Sequence, residues 1–188
     1  MIKIGITGSL ASGKTTASKI ISKNKGPLFS ADKAVKKLYS NKVLRKTIAK
    51  KLNLKSLRNL KKEVKNSIYN KKSSIKKLEK IIHPKVRKEM FRFFKKNKEK
   101  KYIFCEVPLL IENKLSKYFD VVIFIRSEKN LRLRRYVSKG GSPNLFYLLN
   151  THQLKDKKKF KFCDHIVVNN KSLIILKRKL LNIMKKYE

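Results

Sequence analysis

At 188 residues the chain can bury a full core, and a hydrophobic content of 41% excludes a disordered tail despite 34% charged residues. Its 51 Lys+Arg against 12 Asp+Glu give a formal net charge of +39, which invites polyanionic partners without naming one. The lysines run along the whole chain instead of gathering on one tail or helix face, and Asn and Ile are frequent too, the residue usage of an AT-rich coding sequence. With no aromatic-rich RNA-binding motif and no zinc-finger spacing, no specific nucleic-acid partner is expected.

Residues 2–7 form a short apolar run ending at a glycine, predicted as a buried parallel strand, and 15–23 read as a helix. Gly26-Pro27 marks a turn before a second strand at 28–30, which ends at Ala31-Asp32. Residues 33–100 are basic and helical in pattern, with Val35, Leu38, Leu44 and Ile48, then Ile75, Leu78, Ile82 and Val86, at three- and four-residue spacing. Pro84 is expected to start or kink a helix there. A third strand, 102–107, halts at Pro108; a fourth spans 121–125 and a fifth 166–168. Between the last two lie helical halves hinged at Gly140-Gly141-Ser142-Pro143, and 172–187 reads as an amphipathic helix. Strands separated by helices imply right-handed crossovers and a parallel α/β sheet with helices on both faces. Cys105 and Cys163 sit in apolar runs and read as buried thiols. With no leader pattern and no apolar run of about 18 residues, a cytoplasmic location is expected.

Between the first strand and first helix, Gly8, Gly13, Lys14 and Thr15 match G-x-x-x-x-G-K-[ST]. Such a loop turns backbone N–H groups inward onto phosphate oxygens at a helix N-terminus. The predicted nucleotide contacts are therefore Gly8, Ser9, Leu10, Ala11, Ser12, Gly13, Lys14, Thr15 and Thr16. Lys14 brings charge to the outer phosphates of ATP, and the Thr15 hydroxyl suits Mg²⁺. Glu106, ending the third strand, either holds a Mg²⁺-bound water or is a paired structural acid. Asp32, at the carboxyl end of the second strand, is either a general base for an acceptor hydroxyl or a helix cap.

In order along the chain stand "TGSLASGKT" (7–15), "SADKA" (30–34), "LEKIIHPKV" (78–86), "EVPLLIE" (106–112), "FDVVIFI" (119–125), Gln153 and "CDHIVVNN" (163–170). In this order and spacing the chain resembles the dephospho-CoA kinases. The resemblance implies a three-layer P-loop NTPase fold of about five parallel strands. It implies transfer of the γ-phosphate of ATP, with Mg²⁺, to the ribose 3′-hydroxyl of dephospho-CoA. A monomer or weak homo-oligomer is expected. It makes Asp32 the base and divides the chain into a core (1–31, 101–130, 161–188), a helical acceptor-binding insertion (32–100) and a lid (131–160). It assigns His83, Pro84, Pro108, Leu109, Leu110 and Glu112 to the acceptor, Arg134 to the lid as catalytic cation, and Asn169 to a loop near the adenine. The pattern is broken at Ser30, Ser138 and Leu149, where the family carries Asp, Arg and Arg, leaving Arg132 and Arg135 as further candidates for the lid cation. Another small-molecule kinase of this fold, or a basic nucleic-acid-binding NTPase, shares the phosphate loop and stays open on the loop alone.

Overall fold

Five apolar runs become five parallel strands: β1 Ile2–Gly8, β2 Leu28–Ser30, β3 Tyr102–Glu106, β4 Val121–Arg126 and β5 His165–Val168. The computed structural model describes residues 1–54, 56–71 and 73–188. These fall into two compact units, Met1–Ser30 with Lys96–Glu188, and Ala31–Lys95.

In the first unit the strand order is β2-β3-β1-β4-β5, with Ile4 of β1 facing Phe104 on one side and Val121 on the other. Alternation along the strands sends Ile4, Ile6, Phe104, Ile123 and Ile125 to one face. There they pack on Ala17 and Ile21 of α1 (Lys14–Ser22) and on Leu176, Leu180 and Met184 of the C-terminal helix, Leu173–Met184. Each fully buried Ile or Leu in this layer contributes about 1.5–3 kcal/mol of transfer free energy. The opposite face receives Leu110 and Phe119. A Cβ on Gly5 would stand 2.8 Å from Leu110 Cδ1 and 3.1 Å from the Phe119 ring, so the missing side chain lets that layer close on β1.

The chain winds from β1 outward to β2 and returns through β3, then crosses β1 to reach β4 on its other side. The winding reverses at β1, so a crevice opens beyond the carboxyl end of that strand, where the phosphate loop begins.

The second unit holds α2 Ala31–Leu38, α3 Lys42–Leu52, α4 Leu60–Asn70 and most of α5 Ser73–Lys96. Leu44, Ile48, Leu52, Leu60, Val64 and Ile82 form its buried cluster, with Val35, Leu38, Leu78 and Val86 against them. Asn41 caps α3, its side chain accepting from Leu44 N at 2.9 Å. Pro84 does not start a helix but lies inside α5. Proline there removes one N–H and crowds the preceding turn, and the flanking buried and half-buried Ile81, Ile82 and Val86 hold the helix through packing instead.

Beyond β4 come α6 Lys129–Val137, α7 Pro143–His152 and α8 Asp156–Phe160, with α9 naming the C-terminal helix. The expected hinge stands at Gly140 (φ +82°), and Ser142 caps α7 with Pro143 in its first turn. α8 and a 3-10 turn at Ser116–Tyr118 were not predicted: both are too short to show a hydrophobic period. Among the described residues no helix is long and apolar enough to cross a membrane.

Candidate active site

The phosphate loop occupies the turn between β1 and α1. Gly13, the residue before α1, has φ +93° and ψ 21°. A Cβ on it would meet Asn169 Nδ2 at 2.3 Å. Ala11 also adopts a left-handed conformation, at φ +58°. Lys14 is buried and folds back along the loop, its Nζ donating to Ser9 O at 2.8 Å. The Thr15 hydroxyl donates to Glu106 Oε1 at 2.5 Å, and the Ser30 hydroxyl to Glu106 Oε2 at 3.3 Å. Glu106 is only 2% exposed, and Thr7 Oγ1 donates to Pro108 O at 3.1 Å just beyond it. Loop, lysine, hydroxyl and acid thus meet at the carboxyl ends of β1, β2 and β3. Thr15 and Glu106 together are a hard-oxygen pair of the kind Mg²⁺ takes alongside nucleotide phosphates. A dedicated metal cage is a different matter: among the described residues no group of three or more His, Cys, Asp or Glu gathers.

The far wall comes from the ends of β4 and β5. Asn169 Nδ2 donates to Ser12 O at 2.9 Å, and Ser127 Oγ donates to Asn169 O at 2.6 Å. Arg135 braces both, through Nη1 to Ser127 Oγ at 3.0 Å and Nη2 to Asn169 O at 3.1 Å. The Asn169 amide, expected near the base, therefore buttresses the loop itself. Arg132 is 6% exposed and bonds to Ser127 O at 3.2 Å, Leu10 O at 3.1 Å and Asn150 Oδ1 at 2.8 Å, with Phe146 beneath its guanidinium. Burial lowers its pKa and Asp156 partly opposes that, but a guanidinium stays charged near neutrality regardless. Arg134 is the exposed one, and its side chain has no hydrogen bond or ion pair among the described residues. From the 153–160 segment, Gln153 Oε1 accepts from Leu10 N at 3.1 Å and Asp156 accepts from Ser9 Oγ. These groups line a cavity of about 340 Å³ together with Arg132, Asn150 and Leu154.

The residues expected on the acceptor side are spread. Pro108 and Leu109 are half-buried after β3. Leu110 is fully buried, packed over Gly5. Glu112 Oε1 lies 2.6 Å from Nζ of the fully buried Lys159 and accepts from Leu154 N at 3.3 Å. Lys159 Nζ and Glu112 Oε2 have no well-directed hydrogen bond among the described residues, so the contact is an ion pair. In the second unit His83 is half-buried and Pro84 exposed on α5, and Asp32 is exposed in the first turn of α2.

The sequence profile of the dephospho-CoA kinases matches residues 2–174. The chain belongs to the dephospho-CoA kinase family. A dephospho-CoA kinase from Rickettsia typhi is 32% identical over 189 residues, covering 100% of this chain and 98% of the relative. The solved structure of the dephospho-CoA kinase from Campylobacter jejuni is 25% identical with a TM-score of 0.68, over 98% of this chain and 96% of that one. A crystal structure from Thermus thermophilus shares the fold at a TM-score of 0.79 and 23% identity, covering 98% and 97%.

Against the dephospho-CoA kinase pattern, Ser30 makes chemical sense where the family has Asp: its hydroxyl donates to Glu106, where a carboxylate would face a carboxylate. Sequence reasoning missed Ser127, Asn150, Asp156 and Lys159. Only Asp156 carried a signal, as the single acid within "LKDKKKF". The others are ordinary polar residues whose meaning comes from which carbonyl or carboxylate they face. Cys105 is buried, as expected, whereas Cys163 is only half-buried; burial pushes the Cys105 thiol far up and the Cys163 thiol to about 12, with Asp164 adding to the latter.

Proposed function

We propose that this chain transfers the γ-phosphoryl group of ATP to the ribose 3′-hydroxyl of dephospho-CoA, giving coenzyme A and ADP, the last step of coenzyme A synthesis, in the cytoplasm and as a monomer or weak homo-oligomer. The observation that carries the reading is the Lys14–Thr15–Glu106 arrangement at the switch point of a chain belonging to this family. Loop N–H groups from Gly8 to Thr16 bind the triphosphate, and Lys14 leaves Ser9 O to neutralise the outer phosphates. Thr15, with Glu106 behind it, would hold Mg²⁺, whose charge would help neutralise the triphosphate. Arg134, exposed on α6, is the cation of the 131–160 lid that is free to swing onto the transferring group. Asp32 takes the proton of the 3′-hydroxyl as its oxygen bonds to phosphorus and ADP departs. We assign acceptor-contacting roles to Pro108 and Leu109 in one unit and to His83 and Pro84 in the other, the 31–95 helices serving as the acceptor-binding part. Asn169 serves the nucleotide through the loop carbonyl it holds.

The test is direct. Purified protein, Mg-ATP and dephospho-CoA should yield coenzyme A and ADP in equal amounts, followed by chromatography. No coenzyme A, with ATP turnover stimulated instead by a nucleoside or by nucleic acid, overturns the assignment.

A further inference from the structure

We propose that Glu112 is a positioning residue for phosphoryl transfer, holding the 154–159 segment so that Gln153 and Asp156 fix the strand end of the phosphate loop. The inference rests on the phosphoryl-transfer reading above.

The links are consecutive contacts. Glu112 Oε1 takes both the Leu154 N–H at 3.3 Å and the Lys159 ammonium at 2.6 Å, gripping the start and the end of one short segment. Within that segment Asp156 reaches the Ser9 hydroxyl, and just ahead of it Gln153 accepts from Leu10 N. Ser9 O is in turn the acceptor for the Lys14 ammonium. A shift at Glu112 therefore passes through Asp156 and Ser9 to the lysine that meets the outer phosphates.

The segment needs such a hold. α8 has five residues, Asp156–Phe160, far below the roughly 12 an isolated helix needs to persist. Beside Asp156, it is held by Lys159, by the edge-on contact of Phe160 with Phe124, centroids 5.3 Å apart, by Arg126 over the Phe160 ring at 5.7 Å, and by Cys163 Sγ donating to Lys159 O at 3.3 Å. Stability alone is a poor reason for the ion pair, because two charges taken out of water recover little more than their desolvation cost. Lys159 is fully buried and the Glu112 side chain 15% exposed, so neither end has bulk water to fall back on. Glu112 Oε1 is committed to Leu154 and Lys159.

The test uses the full chain with Glu112→Ala, Glu112→Gln, and the double change Glu112→Leu with Lys159→Met, which replaces the charges by apolar groups and keeps a folded protein available. Coenzyme A formation is measured against each substrate, alongside amide exchange of peptides spanning 6–16 and 150–162. The expected result is a kcat about 10–100-fold lower in Glu112→Ala and in the double variant, the scale set by displacing a positioned group by about an ångström. The KM for dephospho-CoA stays within about twofold, Glu112→Gln keeps part of the activity through its carbonyl, and exchange of the 6–16 peptide quickens. A tenfold rise in the KM for dephospho-CoA at unchanged kcat would make Glu112 an acceptor contact and overturn the proposal. Wild-type kcat and wild-type exchange in the double variant would overturn it equally. If the parent protein forms no coenzyme A, the kinase reading fails, while the exchange of the loop peptide still decides whether Glu112 holds it.

Discussion

Replacing Gly13 by alanine tests how the phosphate loop is held. The residue sits at φ +93°, and its new Cβ would stand 2.3 Å from Asn169 Nδ2. A left-handed conformation costs a residue with a Cβ about 1–2 kcal/mol. Relief of the contact must come from Asn169, whose amide would lose its 2.9 Å bond to Ser12 O. That loss, which leaves Ser12 O with the longer 3.3 Å bond from Ser127 Oγ, adds about 1–2 kcal/mol. The sum, about 2–4 kcal/mol, lowers the melting temperature by about 5–15 °C in a chain of this size. ATP affinity falls by at least about tenfold, since one misdirected N–H–phosphate bond is worth about 1.4 kcal/mol. Thermal melts and calorimetric titration with Mg-ATP read both. Repeating Gly13→Ala in an Asn169→Ala background separates the two causes: the backbone strain remains while the collision disappears, so the second step should cost less. An alanine variant that melts within about 1 °C of the parent and binds ATP equally well would refute the reasoning. An undiminished cost in the Asn169→Ala background would show that the collision has no part in it.

Asp32→Asn should lower kcat by about 10²–10⁴ while leaving ATP binding and melting temperature unchanged, because the carboxylate is exposed and unpartnered among the described residues; normal transfer would reduce Asp32 to a first-turn acid on α2. Arg134→Ala should lower kcat without changing stability, whereas Arg132→Ala should lower the melting temperature by stranding the carbonyls of Leu10 and Ser127; equal losses of stability would refute that division. The His165 pKa is lowered by burial and by Lys186, against Asp164, so the unfolded chain binds its proton first, at about pH 6.5. Its contribution is intact above that pH and is lost as the pH falls through the folded value. Melts from pH 7.5 to 5.5 should therefore decline less steeply in His165→Gln, and equal slopes would exclude His165 as the titrating group.

What the sequence made legible was set by locality. The five strands are short apolar runs bounded by turn residues, and the phosphate loop lies within nine consecutive positions, so both could be read without knowing the rest of the chain. Leu109 and Leu110 show where this stops. They are the same residue type side by side, and only the close approach at Gly5, on a strand about a hundred residues away, puts one of them in the core. Pro84, expected to start or kink a helix, lies inside α5: the local rule counts the missing hydrogen bond, while the compensating packing of α5 comes from α3 and α4.

The arginines of α6 are the most instructive case. At about 100° per residue, positions 132 and 135 share a face of a helix and 134 points roughly opposite, so helical period alone separates Arg134 from the other two. Which face would turn inward could not be read, because α6 offers arginines on both sides and has no clear apolar stripe. The answer lies in backbone geometry. The loop and the ends of β4 and β5 leave the carbonyls of Leu10, Ser127 and Asn169 without strand partners, and a buried carbonyl needs a donor. A guanidinium brings five N–H groups in a fixed fork, enough for Arg132 to serve Leu10, Ser127 and Asn150 at once. The inward face is therefore the one that can satisfy the loop, and Arg134 is left facing outward.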